Sequence, residues 1–136
     1  MRLTAVLARR VVPPSFRISI GGTIGFETSV DAPVELRIDG HLVARGEVGV
    51  RDGRYGARVL EYVAPLHPKP EAGTLEIILA ERHVETPVLT AGDIVEFEHR
   101  QHDPVDVLRD GRLVARGYIT PLADRVGVKV VELVVS

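Results

Sequence analysis

The sequence predicts a mostly β chain made of two copies of one unit of about 65 residues. Three observations predict it. A long stretch recurs at a constant offset of 71 residues, apolar residues alternate with polar ones at every second position, and an Asp-Gly pair separates two such alternating runs.

The repeat organises everything else. The run PVELRIDGHLVARG, Pro33 to Gly46, returns as PVDVLRDGRLVARG, Pro104 to Gly117. With the same offset and no insertion, Arg54, Gly56, Val59, Glu61 and Val63 fall on Arg125, Gly127, Val130, Glu132 and Val134. Upstream, Gly21, Phe26 and Glu27 fall on Gly92, Phe97 and Glu98. The first repeat therefore occupies residues 1–65 and the second 72–136, with a linker at 66–71. The prolines of Ala64 to Gly73 favour an extended polyproline segment there, able to span up to about 30 Å at about 3.1 Å per residue.

Each strand follows from alternation. Val34, Leu36 and Ile38 recur at period two while Glu35 and Arg37 face the other way, which is a half-buried strand. Asp39-Gly40 supplies the positive φ values of a type I′ turn, and Leu42, Ala44, Gly46, Val48 and Val50 resume the pattern on the return strand. The second repeat does the same around Asp110-Gly111. A further strand is expected over Ala57 to Val63 and again over Val128 to Val134, both rich in β-branched residues. Thr74 to Ala80 and Ile94 to Glu98 read as two more. Only Glu81 to Ala91 has room for a helical turn, which Pro87 keeps short.

Some of these strands are apolar on both faces. Val59 and Val63 oppose Leu60 and Tyr62, and Val130 opposes Val131 and Leu133, so cover is needed on two sides. A unit of about 65 residues buries only about 60% of its unfolded surface. The expectation is that the two repeats bury these strands against each other about an approximate two-fold axis. Residues 1–65 carry 9 basic and 7 acidic groups and residues 66–136 carry 8 and 12. The opposite net signs favour mixed pairing, modestly and in a salt-dependent way.

Composition excludes several classes. Without cysteine there is no disulfide framework, thiolate metal site or Cys nucleophile. A net charge of −2 and few aromatics give neither the basic face nor the stacking platform of a nucleic-acid binder. No long apolar run or signal-peptide core occurs, which predicts a soluble, cytoplasmic chain.

The candidate sites are structural more than chemical. Arg45 and Arg116 stand at equivalent places beside Gly46 and Gly117. One reading is an anion clamp; the stronger is a cross-strand ion pair to Glu61 and Glu132, with the glycines allowing close backbone approach or a bulge. His99 and His102, near Glu96, Glu98 and Asp103, have the ligand types of a metal site, but they sit where a strand enters a loop before Pro104 and read as solvated. Gly21 to Gly25 lacks the Gly-Lys-Ser/Thr ending of a phosphate loop. No catalytic residue, cofactor or metal is expected. Val84, Pro87, Val88 and Leu89 form a short apolar cluster ahead of Gly92, open to a docking reading and to an ordinary core reading.

The run D-x-PVEL-x-x-DG-x-LVARGEV-x-V-x-DGRYG-x-R-V-x-E, Asp31 to Glu61, resembles the SPOA (surface presentation of antigens) domain of flagellar motor switch proteins and their type III secretion counterparts. The second repeat matches it with DPVDV-x-x-DGRLVARG, the Arg125 to Glu132 segment and the step Ala91-Gly92-Asp93-Ile94. The first repeat departs from it at Gly21-Gly22, and both shorten the helical segment before that step. The resemblance implies two SPOA-like units forming an intertwined pseudo-two-fold dimer. It implies a non-catalytic component of a type III secretion cytoplasmic ring, or sorting platform, since flagellar switch proteins usually carry one such domain each. The implied partners are other SPOA domains, of the same chain or a paralogue, and the stalk and stator proteins of the export ATPase, with Val84, Pro87, Val88 and Leu89 at the docking edge. The implied place is the cytoplasmic face of the bacterial inner membrane, in a homo- or hetero-oligomer, without insertion. Two alternatives stay open: a flagellar motor switch (C-ring) protein, and a small β-barrel ligand-binding domain or enzyme.

Overall fold

Left-handed Asp-Gly pairs set the layout. The computed structural model of the protein describes residues 1–66, 71–86 and 89–134, with backbone alone for 64–66. In it Asp39 and Gly40 have φ of 48° and 86°, and Asp110 and Gly111 have 51° and 80°. Two consecutive positive values make the type I′ turn, whose twist matches that of the strands it joins. Asp52 and Gly53 form a third such pair, at 54° and 77°.

Ten strands carry all the regular structure of the described residues: β1 (Arg2–Val11), β2 (Thr23–Ser29), β3 (Val34–Ile38), β4 (His41–Arg51), β5 (Arg54–Leu66), β6 (Thr74–His83), β7 (Ile94–Arg100), β8 (Val105–Arg109), β9 (Arg112–Leu122) and β10 (Arg125–Leu133). The chain is thus mostly β, as its alternation predicts. Among the described residues no helix is long and apolar enough to cross a membrane.

The strands gather into two compact units. Unit 1 comprises Met1–Leu7, Pro33–Pro68 and Leu79–Asp103; unit 2 comprises Ala8–Ala32, Lys69–Ile78 and Pro104–Ser136. Both β1 and β6 give part of their length to each unit. The strand order in unit 1 is β6-β1-β3-β4-β5-β7 and in unit 2 it is β1-β6-β8-β9-β10-β2. Thus β7, from the second repeat, closes the order of unit 1 by pairing with β5, and β2, from the first repeat, closes unit 2 by pairing with β10. The compact units divide the chain differently from the repeats at 1–65 and 72–136.

Burial follows the alternation. In unit 1 Leu3, Leu36, Val34 and Val59 are fully buried, and in unit 2 Leu75, Ile77, Val107 and Val130 are. At matched places the hairpins carry a bulge: Leu36 pairs Ala44 but Arg37 pairs Leu42, and Val107 pairs Ala115 but Leu108 pairs Leu113.

Several expectations are corrected. β5 continues to Leu66, so the proline-bearing segment begins as strand; residues 67–70 lie outside those described. The helical turn expected within 81–91 is absent among the described residues, because Glu81–His83 extend β6. The end of β6 is held to the start of β1 by an Arg2–Glu81 ion pair at 3.2 Å and by the Val84 N–H donating to the Met1 carbonyl at 2.8 Å. Backbone pairing outweighs a weak local helical preference there. β1 itself is weakly patterned, yet Leu3, Ala5, Val6 and Ala8 are all buried.

The double-faced strands also differ from expectation. Val59 and Val130 are buried, but Leu60 remains 41% exposed, Tyr62 55%, and Val131 and Leu133 40% each. A bulge explains the first residue of each pair. Arg45 pairs Glu61 while Gly46 pairs Val59, and Arg116 pairs Glu132 while Gly117 pairs Val130, so Leu60 and Val131 are the extra residues that fall out of alternation. The single chain leaves these side chains uncovered.

Candidate functional site

The duplicated residues form a matched framework in each unit. Arg45 Nη1 donates to Glu61 Oε1 at 3.2 Å across β4 and β5, and Arg116 Nη1 donates to Glu132 Oε1 at 3.2 Å across β9 and β10. Arg116 Nε also reaches Asp106 Oδ1 at 3.2 Å. The hydrogen bond to Glu132 raises the Arg116 pKa above its ordinary value, with the charges of Glu132 and Asp106 adding to it. These groups are largely solvated, so each pair selects register more than it contributes stability.

The turn aspartates act on the neighbouring strand. Asp39 Oδ1 accepts the Arg2 N–H at 2.9 Å, and the Asp39 N–H donates to the Arg2 carbonyl at 2.9 Å. Asp110 Oδ1 accepts the N–H groups of Gly73 and Thr74 at 2.8 and 3.0 Å. Gly73 stands 71 residues after Arg2, so the two turns make the same attachment.

Gly46 and Gly117 sit beside the bulges. A Cβ on Gly46 would stand 3.0 Å from the Arg58 carbonyl oxygen and 3.1 Å from Leu36 Cδ1, whereas a Cβ on Gly117 would run into the Lys129 carbonyl oxygen. Close backbone approach is what these glycines provide.

Of the apolar cluster ahead of Gly92, Val84 is half-buried and Leu89 is buried. Pro87 and Val88 lie outside the described residues. Leu89 as it stands is part of the core of unit 1 and presents little surface for docking. Exposed apolar side chains lie elsewhere, Ile20 and Ile94 among them, and those that match one another at the repeat offset are Leu60 and Tyr62 on β5 and Val131 and Leu133 on β10.

The His99 ring lies against Tyr55, with centroids 6.1 Å apart, and its buried Nε2 has no hydrogen-bond partner among the described residues. Burial, with Asp103 adding to it, pushes the Tyr55 phenol up from its ordinary value. His102 is exposed, and Asp103 Oδ2 accepts the Arg100 N–H at 3.0 Å. Among the described residues no group of three or more His, Asp or Glu side chains is arranged to hold a metal ion.

Comparison with known proteins agrees with this framework. A family described as type III flagellar switch regulator (C-ring) FliN C-term matches residues 1–64 and 88–134, which takes in the duplicated segment of both repeats. The chain belongs to the FliN C-terminal family. The flagellar motor switch proteins FliN of Pectobacterium carotovorum, Escherichia coli K12 and Salmonella typhimurium LT2 are each 28% identical to it over 67 residues, 48% of this chain. That match spans 63% of the Pectobacterium protein and 49% of each of the other two. The SPOA resemblance seen in the motif is therefore one of family, and the FliN-like Arg-Gly hairpin and closing strand occur here twice in one chain.

Proposed function

We propose that this FliN-family chain is a non-catalytic assembly module of a C-ring of the flagellar motor switch type, joining other FliN-like units through its exposed strand faces. The observation that carries the reading is the matched pair of exposed apolar positions, Leu60 with Tyr62 and Val131 with Leu133, on the duplicated closing strands. Large apolar side chains left in water at equivalent places in a duplicated fold suit contact with further copies or paralogues. An intertwined, approximately two-fold pairing of the repeats at 1–65 and 72–136 is part of the proposal. It is supported by the way each compact unit draws strands from both repeats.

The named relatives favour the flagellar switch over the secretion ring, which the tandem alone had put first. The secretion ring remains a second reading because the duplicated unit within one chain favours it. In either assembly the chain would sit at the cytoplasmic face of the inner membrane and meet the stalk and stator proteins of the export ATPase.

Light scattering across a concentration series tests the assembly reading. The wild-type chain is expected to self-associate or to pair with a FliN-like partner, and the variant L60S/Y62S/V131S/L133S to stay monomeric and folded. A wild-type chain that is strictly monomeric and captures no FliN-family or stalk protein would overturn it. Pull-downs against flagellar and secretion stalk proteins separate the two assemblies.

A further inference from the structure

The same backbone place is filled in unit 2 and open in unit 1. Across β4, β5 and β7, Arg51 pairs with Arg54 and Arg54 with Arg100, so three arginines stand in one lateral row. One register step along, Gly49 pairs with Gly56 and Gly56 with Glu96. These residues line an open concavity of ≈ 1240 Å³ within unit 1. A Cβ on Gly49 would meet nothing within 4 Å and one on Gly56 only the Val95 carbonyl oxygen at 3.3 Å, so no side chain covers the two glycines, while Glu96 stands at the third position of the floor.

At the matched positions of unit 2 the row is Leu122, Arg125 and Ser29, and the floor is Thr120, Gly127 and Gly25. There Leu122 lies over the glycines, its Cδ1 2.8 Å from where a Cβ of Gly127 would be and 3.3 Å from that of Gly25. Arg125 is engaged too, donating to the Glu27 carbonyl. The fold therefore requires neither an open floor nor an arginine row at this place.

In unit 1 the arginines are costly neighbours. Like charges placed directly opposite across strands repel. Arg51 is 84% exposed and reaches Glu96 only at 3.8 Å. Neither the Arg54 nor the Arg100 guanidinium has a hydrogen-bond or ion-pair partner among the described residues. The other end of the concavity is neutralised, Arg58 pairing Glu47 at 3.0 Å and Arg2 pairing Glu81 at 3.2 Å.

We propose that the glycine-floored concavity of unit 1 is a docking site for an extended segment of a partner protein, whose acidic side chain is forked between Arg54 and Arg100. Guanidinium groups bind carboxylates through paired, charge-assisted hydrogen bonds. Three strands at about 4.8 Å spacing set the row about 10 Å wide, and alternate side chains of an extended segment lie about 6.8 Å apart, so a short stretch of such a segment covers it. An open concavity of this size suits a length of chain better than an enclosed small molecule. β7 ends the strand order of unit 1, and its Glu96 carbonyl already accepts from Arg82 Nη1 at 2.9 Å, so the segment lies over the glycines rather than adding a strand at this edge. Ile94, 70% exposed and opposite Arg58 on the same register, gives an apolar foothold at the far end. Asp52, Glu96 and Glu98 also belong to the lining, so the site takes one carboxylate and disfavours a polyanion. The inference does not depend on which ring, if any, the chain enters.

The test pans a random dodecapeptide phage library on the full chain and measures selected peptides against variants. Peptides with a single acidic residue among apolar ones are expected to be enriched. Their affinity should fall about tenfold or more on R54Q/R100Q, the loss of charge-assisted bonds. It should fall similarly on G49T/R51L, which imports the unit 2 pattern into a place where a Cβ has room. R112Q/R116Q, the same loss of two charges on arginines of unit 2, should leave it unchanged, and circular dichroism should show all variants folded. Enrichment without acidic residues, or equal affinity for the wild type and R54Q/R100Q, overturns the proposal. Displacement of the peptides by pyrophosphate binding at equal affinity would make this a small-anion site and overturn the partner segment.

Discussion

The glycines beside the two bulges allow a matched test of how the closing strands are held. Gly117→Ala places a methyl against the Lys129 carbonyl, with the carbonyl carbon 2.8 Å away and Val128 Cγ1 at 3.2 Å. Two of these three obstacles belong to the β10 backbone, which cannot move without breaking its pairing with β9. Overpacking of this kind costs about 1–3 kcal/mol, and the upper part of that range applies when backbone must shift. Ala in place of Gly returns about 0.4–1 kcal/mol by restricting the unfolded chain. The net expectation is a loss of about 2 kcal/mol, or about 6–10 °C in Tm for a chain of this size. Gly46→Ala meets the Arg58 oxygen at 3.0 Å and the Leu36 side chain at 3.1 Å, both eased by shifts of a few tenths of an ångström, so its net loss should stay below about 1 kcal/mol. Urea unfolding of the full chain, followed by circular dichroism, measures both. If Gly117→Ala proved as stable as Gly46→Ala or the wild type, the close approach of β9 and β10 would not be what fixes the glycine.

Leu36→Ala, at a position with no exposed surface, should cost about 2–5 kcal/mol in the same assay, whereas Val50→Ser on the exposed end of β4 should stay within about 0.5 kcal/mol. Arg116→Gln removes bonds to Asp106 and Glu132, and because all three groups are well solvated the loss in the urea midpoint should be smaller than that of Leu36→Ala and shrink further in 1 M salt. The raised pKa of Tyr55 means that the unfolded chain gives up this proton first. Stability held below the ordinary value of 10.0 should therefore fall as pH rises past it, and Tyr55→Phe should flatten that fall in denaturation curves taken over alkaline pH.

What the sequence made legible is what local rules decide. Asp39-Gly40 and Asp110-Gly111 fix two hairpins because only a pair of left-handed residues makes that turn, and alternation in Val34 to Ile38 fixes which face is inward. The Arg45 and Glu61 positions could be matched because their copies stand at the same offset. What stayed hidden depends on pairing between distant segments. Nothing local in Arg2–Val11 marks it as a strand, since Thr4-Ala5-Val6-Leu7-Ala8 has no clean period; it is one because β3 and β6 flank it. Nor could alternation foresee the bulges that turn Leu60 and Val131 outward, as a bulge needs the partner strand to be counted. The full arginine row was invisible for the same reason: Arg51 and Arg54 face each other across a local hairpin, but Arg100 joins them only through the β5–β7 register, which links the first repeat to the second.

The pairing of β7 with β5 and of β2 with β10 also bears on why one chain holds two units. Each compact unit takes its closing strand from the other repeat. Joining the repeats covalently turns that exchange into an intramolecular event at high effective concentration. It also lets the two copies diverge, as they have at one place: Leu122 seals the glycine floor of unit 2, while Arg51 leaves that of unit 1 open. A single unit used twice as a symmetric pair would carry the same residue on both sides. On the assembly reading proposed above, the matched apolar faces on β5 and β10 serve contacts that both units share, and the arginine-rimmed concavity serves a contact that unit 1 alone can make.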